Sequence, residues 1–535
     1  MVRADLILLN GNILTMDRGR PRAQAVAVSN GRILKVGSND EVGALAGEGT
    51  RIIDLGGRAV LPGLIDTHVH VLEFGRSLGW VDLRGVDSIE ALKERLEERA
   101  REVPEGSWIL GRGWDQERFV EGRYPTRWDL DEAAPKNPTL LFRVCGHVCV
   151  VNSLALKLAG ITPHTTPPGG GAIELDPETG EPNGILREGA VDLVLRVVPE
   201  PDEQTLLKAC EDACRRAVRE GLTGLHWIVQ SPAEIRAIQR LRRLGRLPLR
   251  VYVLVPAKYM DRLAELGLST GFGDEWVRLG AIKVFVDGSL GARTAALREP
   301  YADDPSNRGV MRHSQEELDS IVLKAHKLGF QLAIHAIGDR AVEAALNSIE
   351  KALKECPAAD HRHRIEHASV LDEHLIARMR SLRVVASVQP HFVVSDFWVP
   401  SRLGPQRARW TYPFKTLLRS GVVVAGGSDC PVEPISPLLG IYAAVARERV
   451  PEEGVTIEEA IRMYTVNAAY ASFEEGLKGS ISEGKLADFV VLSQDITKLP
   501  PERIRDVEVE MTIVGGRVVY AKAELPQLRR HGDPK

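Results

Sequence analysis

Eight short apolar runs alternate with helical patterns through the middle of this chain, and that alternation limits its architecture more than any other feature. The runs fall at 60–70, 221–229, 249–255, 281–287, 331–337, 364–367, 384–389 and 422–429, with helical patterns such as 315–327, 341–355 and 372–382 between them. Strands separated by helices imply a parallel sheet, because a parallel pair needs a long crossover. Eight such strands is the number that closes a (β/α)8 barrel.

The two ends read differently. Residues 1–60 are short β-like runs broken by Gly-, Asn- or Asp-containing turns, the first of them leading into Asn10-Gly11. The far end holds similar runs at 487–492, 508–514 and 517–520, with Gly515-Gly516 suiting a hairpin turn. Neither end has enough strands for a core of its own. The expected organisation is an α/β chain in three parts. Residues 1–60 plus 477–525 form a composite β-sandwich domain, and 61–476 form the TIM barrel. The stretch 71–220 is too long for a simple loop, so an α/β cap subdomain is expected at about 75–190, over the barrel mouth.

Charged residues make up 27% of the 535 and apolar residues 44%, the profile of a globular protein, with a net charge of -4. Charges of both signs are interspersed, and no basic stripe points to nucleic acid. No apolar run approaches the roughly 18 residues that span a bilayer. The N-terminal stretch lacks the long apolar core and cleavage site of an export signal. The six cysteines therefore read as reduced and the chain as cytoplasmic.

Barrel chemistry gathers at the C-terminal ends of the strands, and the unusual polar residues lie there. His68 and His70 end the first run; side chains two apart share a face, so both imidazoles aim at one spot. Lys283 lies in the fourth run, His335 ends the fifth, His367 the sixth and Asp429 the eighth. Four histidines, a lysine and an aspartate at successive strand ends form a candidate metal site rather than core packing. Two readings stand for Lys283. It pairs with Asp287, four residues on, or it is carboxylated by carbon dioxide into an anionic oxygen ligand, which desolvation of the amine favours.

In that order the residues resemble the amidohydrolase superfamily of metal-dependent hydrolases, in the branch that includes N-substituted formamide deformylase. The resemblance covers nearly the whole chain. It extends to Gly111-Arg112-Gly113-Trp114-Asp115, to 286–294 around Asp287 and Arg293, to Ser387-Val388-Gln389-Pro390-His391 and to 484–492. It implies that His68, His70 and Asp429 hold one metal and His335 and His367 a second, with carboxylated Lys283 bridging. Without carboxylation a single ion is implied. Zinc suits such donors, and iron, manganese and nickel share them.

The implied reaction is hydrolysis of an amide-type C–N bond in a small molecule. Asp429 takes a proton from a metal-activated water and passes it to the leaving nitrogen, and His391 assists at the oxyanion. Further residues carry two readings each. His391 is a substrate contact or a loop histidine. Arg293 binds an anionic substrate group or pairs with Asp287. Trp114 and Asp115 belong to a lid or to a packed loop. His147 and Asn152 reach the cavity or do not, His226 lines it, and Asp339 and Glu366 are candidates to hold ligands by hydrogen bonds. A cyclic amide or an ester is the alternative substrate, and a catalytically silent ligand-binding barrel the alternative class. A homodimer is the generic expectation.

Overall fold

The computed structural model describes residues 3–143, 148–168, 171–199, 202–522 and the strand Arg529–Arg530. The chain forms two compact units, Met1–Phe74 with Cys210–Lys535, and Gly75–Ala209.

The first unit is built around a parallel eight-stranded sheet. Its strands are β1 (Leu64–Val69), β2 (Leu222–Ile228), β3 (Arg250–Pro256), β4 (Val277–Phe285), β5 (Gln331–Ala336), β6 (Arg364–His367), β7 (Val385–Val388) and β8 (Val424–Gly426). They pair in chain order, and a parallel bridge from Val69 to Cys430 brings the last edge to the first. This is the (β/α)8 barrel. The strands are buried on both faces, which is why they read as nearly continuous apolar runs. The helix Asp339–Glu355 shows how the outer layer forms. Its buried Ala341, Ala345, Leu346, Ile349 and Ala352 recur at helical spacing and make one apolar stripe.

Both chain ends build two further sheets in the same unit. One holds Arg51–Asp54, Leu6–Leu9, Ala25–Ser29 and Arg32–Gly37, with Arg529–Arg530 at its edge. The other holds Arg517–Ala521, Val509–Val514, Phe489–Leu492, Ala59–Pro62, Asn12–Leu14 and Arg22–Ala23. Leu6, Leu8, Ile13, Val26, Val60, Phe489 and Ile513 pack into one cluster drawn from both sheets. The apolar run at 60–70 is therefore two strands. Ala59–Pro62 pairs with Phe489–Leu492 in the end sheet, and β1 starts two residues later in the barrel. The Asn10-Gly11 turn is a corner, with Asn10 at φ 55° passing the chain from one end sheet to the other. A buried ion pair, Arg250 with Asp488 at 2.7 Å, ties β3 to this region.

The second unit has a mixed six-stranded sheet: Ala172–Leu175, Pro182–Arg187, Val148–Val151, Thr139–Arg143, Ile109–Trp114 and Val81–Asp82. The helix Ile89–Glu102, N-capped by Ser88, buries Ile89, Leu92 and Leu96 in a core that includes Trp114 and Leu141. Among the described residues no helix is long and apolar enough to cross a membrane.

Candidate metal centre

The end of β1 and the segment after β8 are joined backbone to backbone. Asp429 N–H donates to His68 O (2.7 Å) and His70 N–H to Cys430 O (2.9 Å). The buried Asp66 carboxylate adds to the seam by accepting the His68 and Ser428 N–H groups at 3.0 and 2.9 Å. Burial raises the Asp66 pKa to about 7. Gly427 is needed for this approach, since a Cβ there would lie 2.8 Å from His68 N and 2.9 Å from Asp66 Oδ1.

The seam brings three candidate metal donors together. Asp429 Oδ1 lies 3.4 Å from His68 Nε2 and 3.3 Å from His70 Nε2. One donor atom from each of these three residues falls within 4.8 Å of the others, the one such group among the described residues. Asp429 adopts φ 58° and His367 φ 73°. That left-handed backbone costs a non-glycine residue about 1–3 kcal/mol and collects at functional sites.

The His68 ring is held from behind. Its Nδ1–H donates to the Glu366 carboxylate, which is itself bonded to the Arg364 guanidinium; all three side chains are buried. This fixes the tautomer and leaves the Nε2 lone pair facing the centre. Burial lowers the His68 pKa to about 4, so the ring is neutral at pH 7. Burial also works to raise the Asp429 pKa, yet the neighbouring His68 and His70 hold it well below the carboxylate range.

Lys283 points to the same place, with Nζ 3.3 Å from His68 Nε2. Burial lowers its pKa to about 8. The pairing of Lys283 with Asp287 is not formed. β4 ends at Phe285, so the two-residue alternation that put them on one face stops before Asp287. The fully buried Asp287 instead accepts the N–H groups of Ala296, Ile337 and Gly338 at 2.9, 3.1 and 2.9 Å. These bonds use its carboxylate to brace the loops after β4 and β5, and its Oδ1 also lies 3.4 Å from His335 Nε2.

His335 and His367 are brought beside the three-donor group. The His367 ring lies 4.5 Å from that of His335 and 4.8 Å from that of His68. Their nitrogens have local partners: His335 Nε2 meets Gly288 O at 3.0 Å, and His367 Nδ1 meets Gln389 Oε1 at 2.6 Å. His391 follows β7 and bonds through Nδ1 to the Glu433 carboxylate.

A family model described as the amidohydrolase family matches residues 51–520. The chain belongs to the amidohydrolase family. YtcJ of Bacillus subtilis (strain 168) is 38% identical over 96% of this chain and 99% of its own length. The N-substituted formamide deformylase of Arthrobacter pascens is 31% identical over 97% of this chain and 98% of its own. Among solved structures, an uncharacterized metal-dependent hydrolase from Pyrococcus furiosus superposes with a TM-score of 0.78 at 35% identity. That match covers 92% of this chain and 100% of the other.

Other expected site residues of this amidohydrolase have structural partners. Trp114 is fully buried in the second unit, and its indole N–H donates to Leu141 O at 2.8 Å. Asp115 pairs with Arg143 at 2.8 Å. Arg293 pairs with Asp303 at 2.9 Å rather than with Asp287. Asn152 caps the helix Ser153–Leu158, and His147 lies outside the described residues. Asp339 starts the helix after β5 and accepts Arg298 N–H. His226 is buried in β2, with Nδ1 2.7 Å from Arg364 Nη1. Sequence reasoning missed Arg364, Asp66 and Glu433. Arg364 and Asp66 carried a signal, since each lies two residues before a functional residue on the same strand face. Glu433 sits in an irregular loop whose path periodicity does not describe.

Proposed function

We propose that this amidohydrolase cleaves the C–N bond of a small non-peptide amide with a divalent transition metal held by His68, His70 and Asp429. The observation that carries the reading is the convergence of two imidazole nitrogens and a carboxylate oxygen. Imidazole and carboxylate donors suit zinc first. A bound ion of this kind supplies Lewis acidity, lowering the pKa of coordinated water to about 7. Lys283, with a pKa of about 8, has a share of neutral amine at pH 7 that can add carbon dioxide and release a proton. The resulting carbamate would supply an oxygen donor between the His68 side and the His335 and His367 pair, making room for a second ion.

The chain's own groups do the rest. Asp429, ionised at neutral pH, accepts a proton from the attacking water and returns it to the leaving nitrogen. Glu433 accepts the hydrogen bond of His391 Nδ1–H and so fixes the orientation of that ring. Nε2, on the far edge of the ring so held, is placed to meet the substrate oxygen as negative charge develops. Whole-length identity to the Arthrobacter deformylase supports N-substituted formamides as the first substrates to try, followed by other N-acyl amines.

The test is metal analysis of the purified protein together with an activity screen against N-formyl and N-acyl amines. One to two equivalents of metal are expected, with hydrolysis lost on chelation and in Asp429→Asn. Bicarbonate should raise metal loading of the wild type and leave Lys283→Arg unchanged. A zinc-loaded protein that hydrolyses no amide in the panel would overturn the reading.

A further inference from the structure

A cavity of about 450 Å³ opens at the end of the barrel away from the metal centre. Two of its walls are Arg250, the first residue of β3, and Trp276, the residue before β4. These are N-terminal strand ends, whereas the metal-centre residues cluster at C-terminal ends. The facing walls are the hairpin turns Asn30-Gly31 and Gly515-Gly516 of the end sheets, with Arg51 and Arg517 beside them.

Four arginines line this cavity, Arg51, Arg242, Arg250 and Arg517. The two carboxylates in the lining are already engaged. Asp5 accepts Asn30 N–H at 2.6 Å, and Glu275 pairs with Arg32. Arg250 is neutralised by Asp488, with Nε and Nη2 at 2.7 and 3.0 Å from its two oxygens. Arg242 reaches Asp274 only at 3.5 Å. Arg51 bonds to a carbonyl, Gly516 O, at 3.3 Å. Among the described residues neither Arg51 nor Arg517 has an ion-pair partner, and Asp5, bonded only to a neutral N–H, offsets one of these two charges, so the cavity keeps a net positive charge. Such a concave cationic surface attracts anions.

The walls are set in advance. The guanidinium carbons of Arg242 and Arg250 each lie 4.8 Å from the Trp276 ring centroid, which restrains both groups by cation–π contact. Gly31 has φ 74°, and a Cβ there would lie 3.2 Å from Gly515 O, so the two hairpins meet as bare backbone. Guanidinium groups select carboxylate and phosphate oxygens through paired hydrogen bonds. The volume falls within the roughly 300–1,000 Å³ of small-molecule sites and exceeds what a simple ion fills.

We propose that this cavity is a second ligand site, separate from the metal centre, for a small molecule bearing a phosphate or several carboxylates. Calorimetric titration tests it, with inorganic phosphate and citrate as probes and chloride holding the ionic strength constant. Saturable binding of either probe at one per chain is expected; phosphate alone would indicate a phosphorylated ligand and citrate alone a polycarboxylate. In the double variant Arg51→Gln/Arg517→Gln the affinity should fall about tenfold or more, with metal content unchanged. Arg517 is exposed, so Arg517→Glu offers a reversed charge without a folding cost, and it should also weaken binding. No saturable heat, or saturable binding that these variants leave intact, overturns the proposal.

Discussion

Replacing Glu366 by glutamine tests how the metal centre is held. Both Glu366 oxygens are hydrogen-bond acceptors: Oε1 takes Arg364 Nε–H, while Oε2 takes His68 Nδ1–H and Arg364 Nη2–H, the latter at 3.1 Å. An amide keeps one oxygen and turns the other into a donor. Whichever way it is placed, an N–H group then faces either Arg364 or the His68 ring. Arg364 is fully buried, and Glu366 is its ion-pair partner. Removing one member of a buried pair costs about 3–5 kcal/mol, because the other charge stays behind unpaired. That is a large part of the roughly 5–15 kcal/mol by which proteins are stable. Losing the carboxylate behind a ligand histidine also costs about 10–100-fold in metal affinity. Urea unfolding followed by circular dichroism and zinc competition against a chelator read the two effects separately. The reasoning fails if Glu366→Gln unfolds within about 1 kcal/mol of wild type and binds zinc with undiminished affinity.

Glu433→Gln should lower the catalytic rate by up to about 10²–10³-fold on any substrate found while leaving metal content intact; equal loss of bound metal would show that Glu433 serves the fold instead. Asp488→Asn leaves Arg250 buried without its charge partner, and should destabilise the first unit by about 3–5 kcal/mol in urea. Acid should weaken the packing around the buried His361 and His363. His363 Nδ1 accepts Leu332 N–H at 3.1 Å and its Nε2 bonds His326 Nδ1 at 2.9 Å, while His361 Nδ1 accepts His363 N–H at 2.9 Å, so the His361 and His363 rings are needed neutral. Burial lowers the pKa of His361 and, more strongly, of His363; Asp360, beside His361, opposes the shift and Arg383 adds to it. A depressed folded pKa means stability that is full above the unfolded value of about 6.5 and lost as pH falls below it. Melting curves from pH 8 to pH 5 should therefore fall below pH 6.5, less steeply in His363→Asn; parallel curves would refute this.

The eight barrel strands were legible because each is buried on both faces and keeps an apolar run of strand length. His68, His70, Lys283, His335, His367 and Asp429 were legible as polar residues at the ends of those runs, where core packing does not account for them. Both signals are local, and a single sequence carries local signals well. What only the tertiary structure decided is which of these groups meet. The ion-pair reading of Lys283 with Asp287 failed because β4 stops two residues short of Asp287, and Trp114 was claimed by a core. The tautomer of His68 depends on Glu366 and Arg364, almost 300 positions away. Glu433 reaches His391 through a loop with no period to read, and the cationic cavity exists only where hairpins from both chain ends meet the barrel. Hydrophobic periodicity specifies elements one at a time, whereas charge pairing acts across space between residues whose separation along the chain says nothing of their distance.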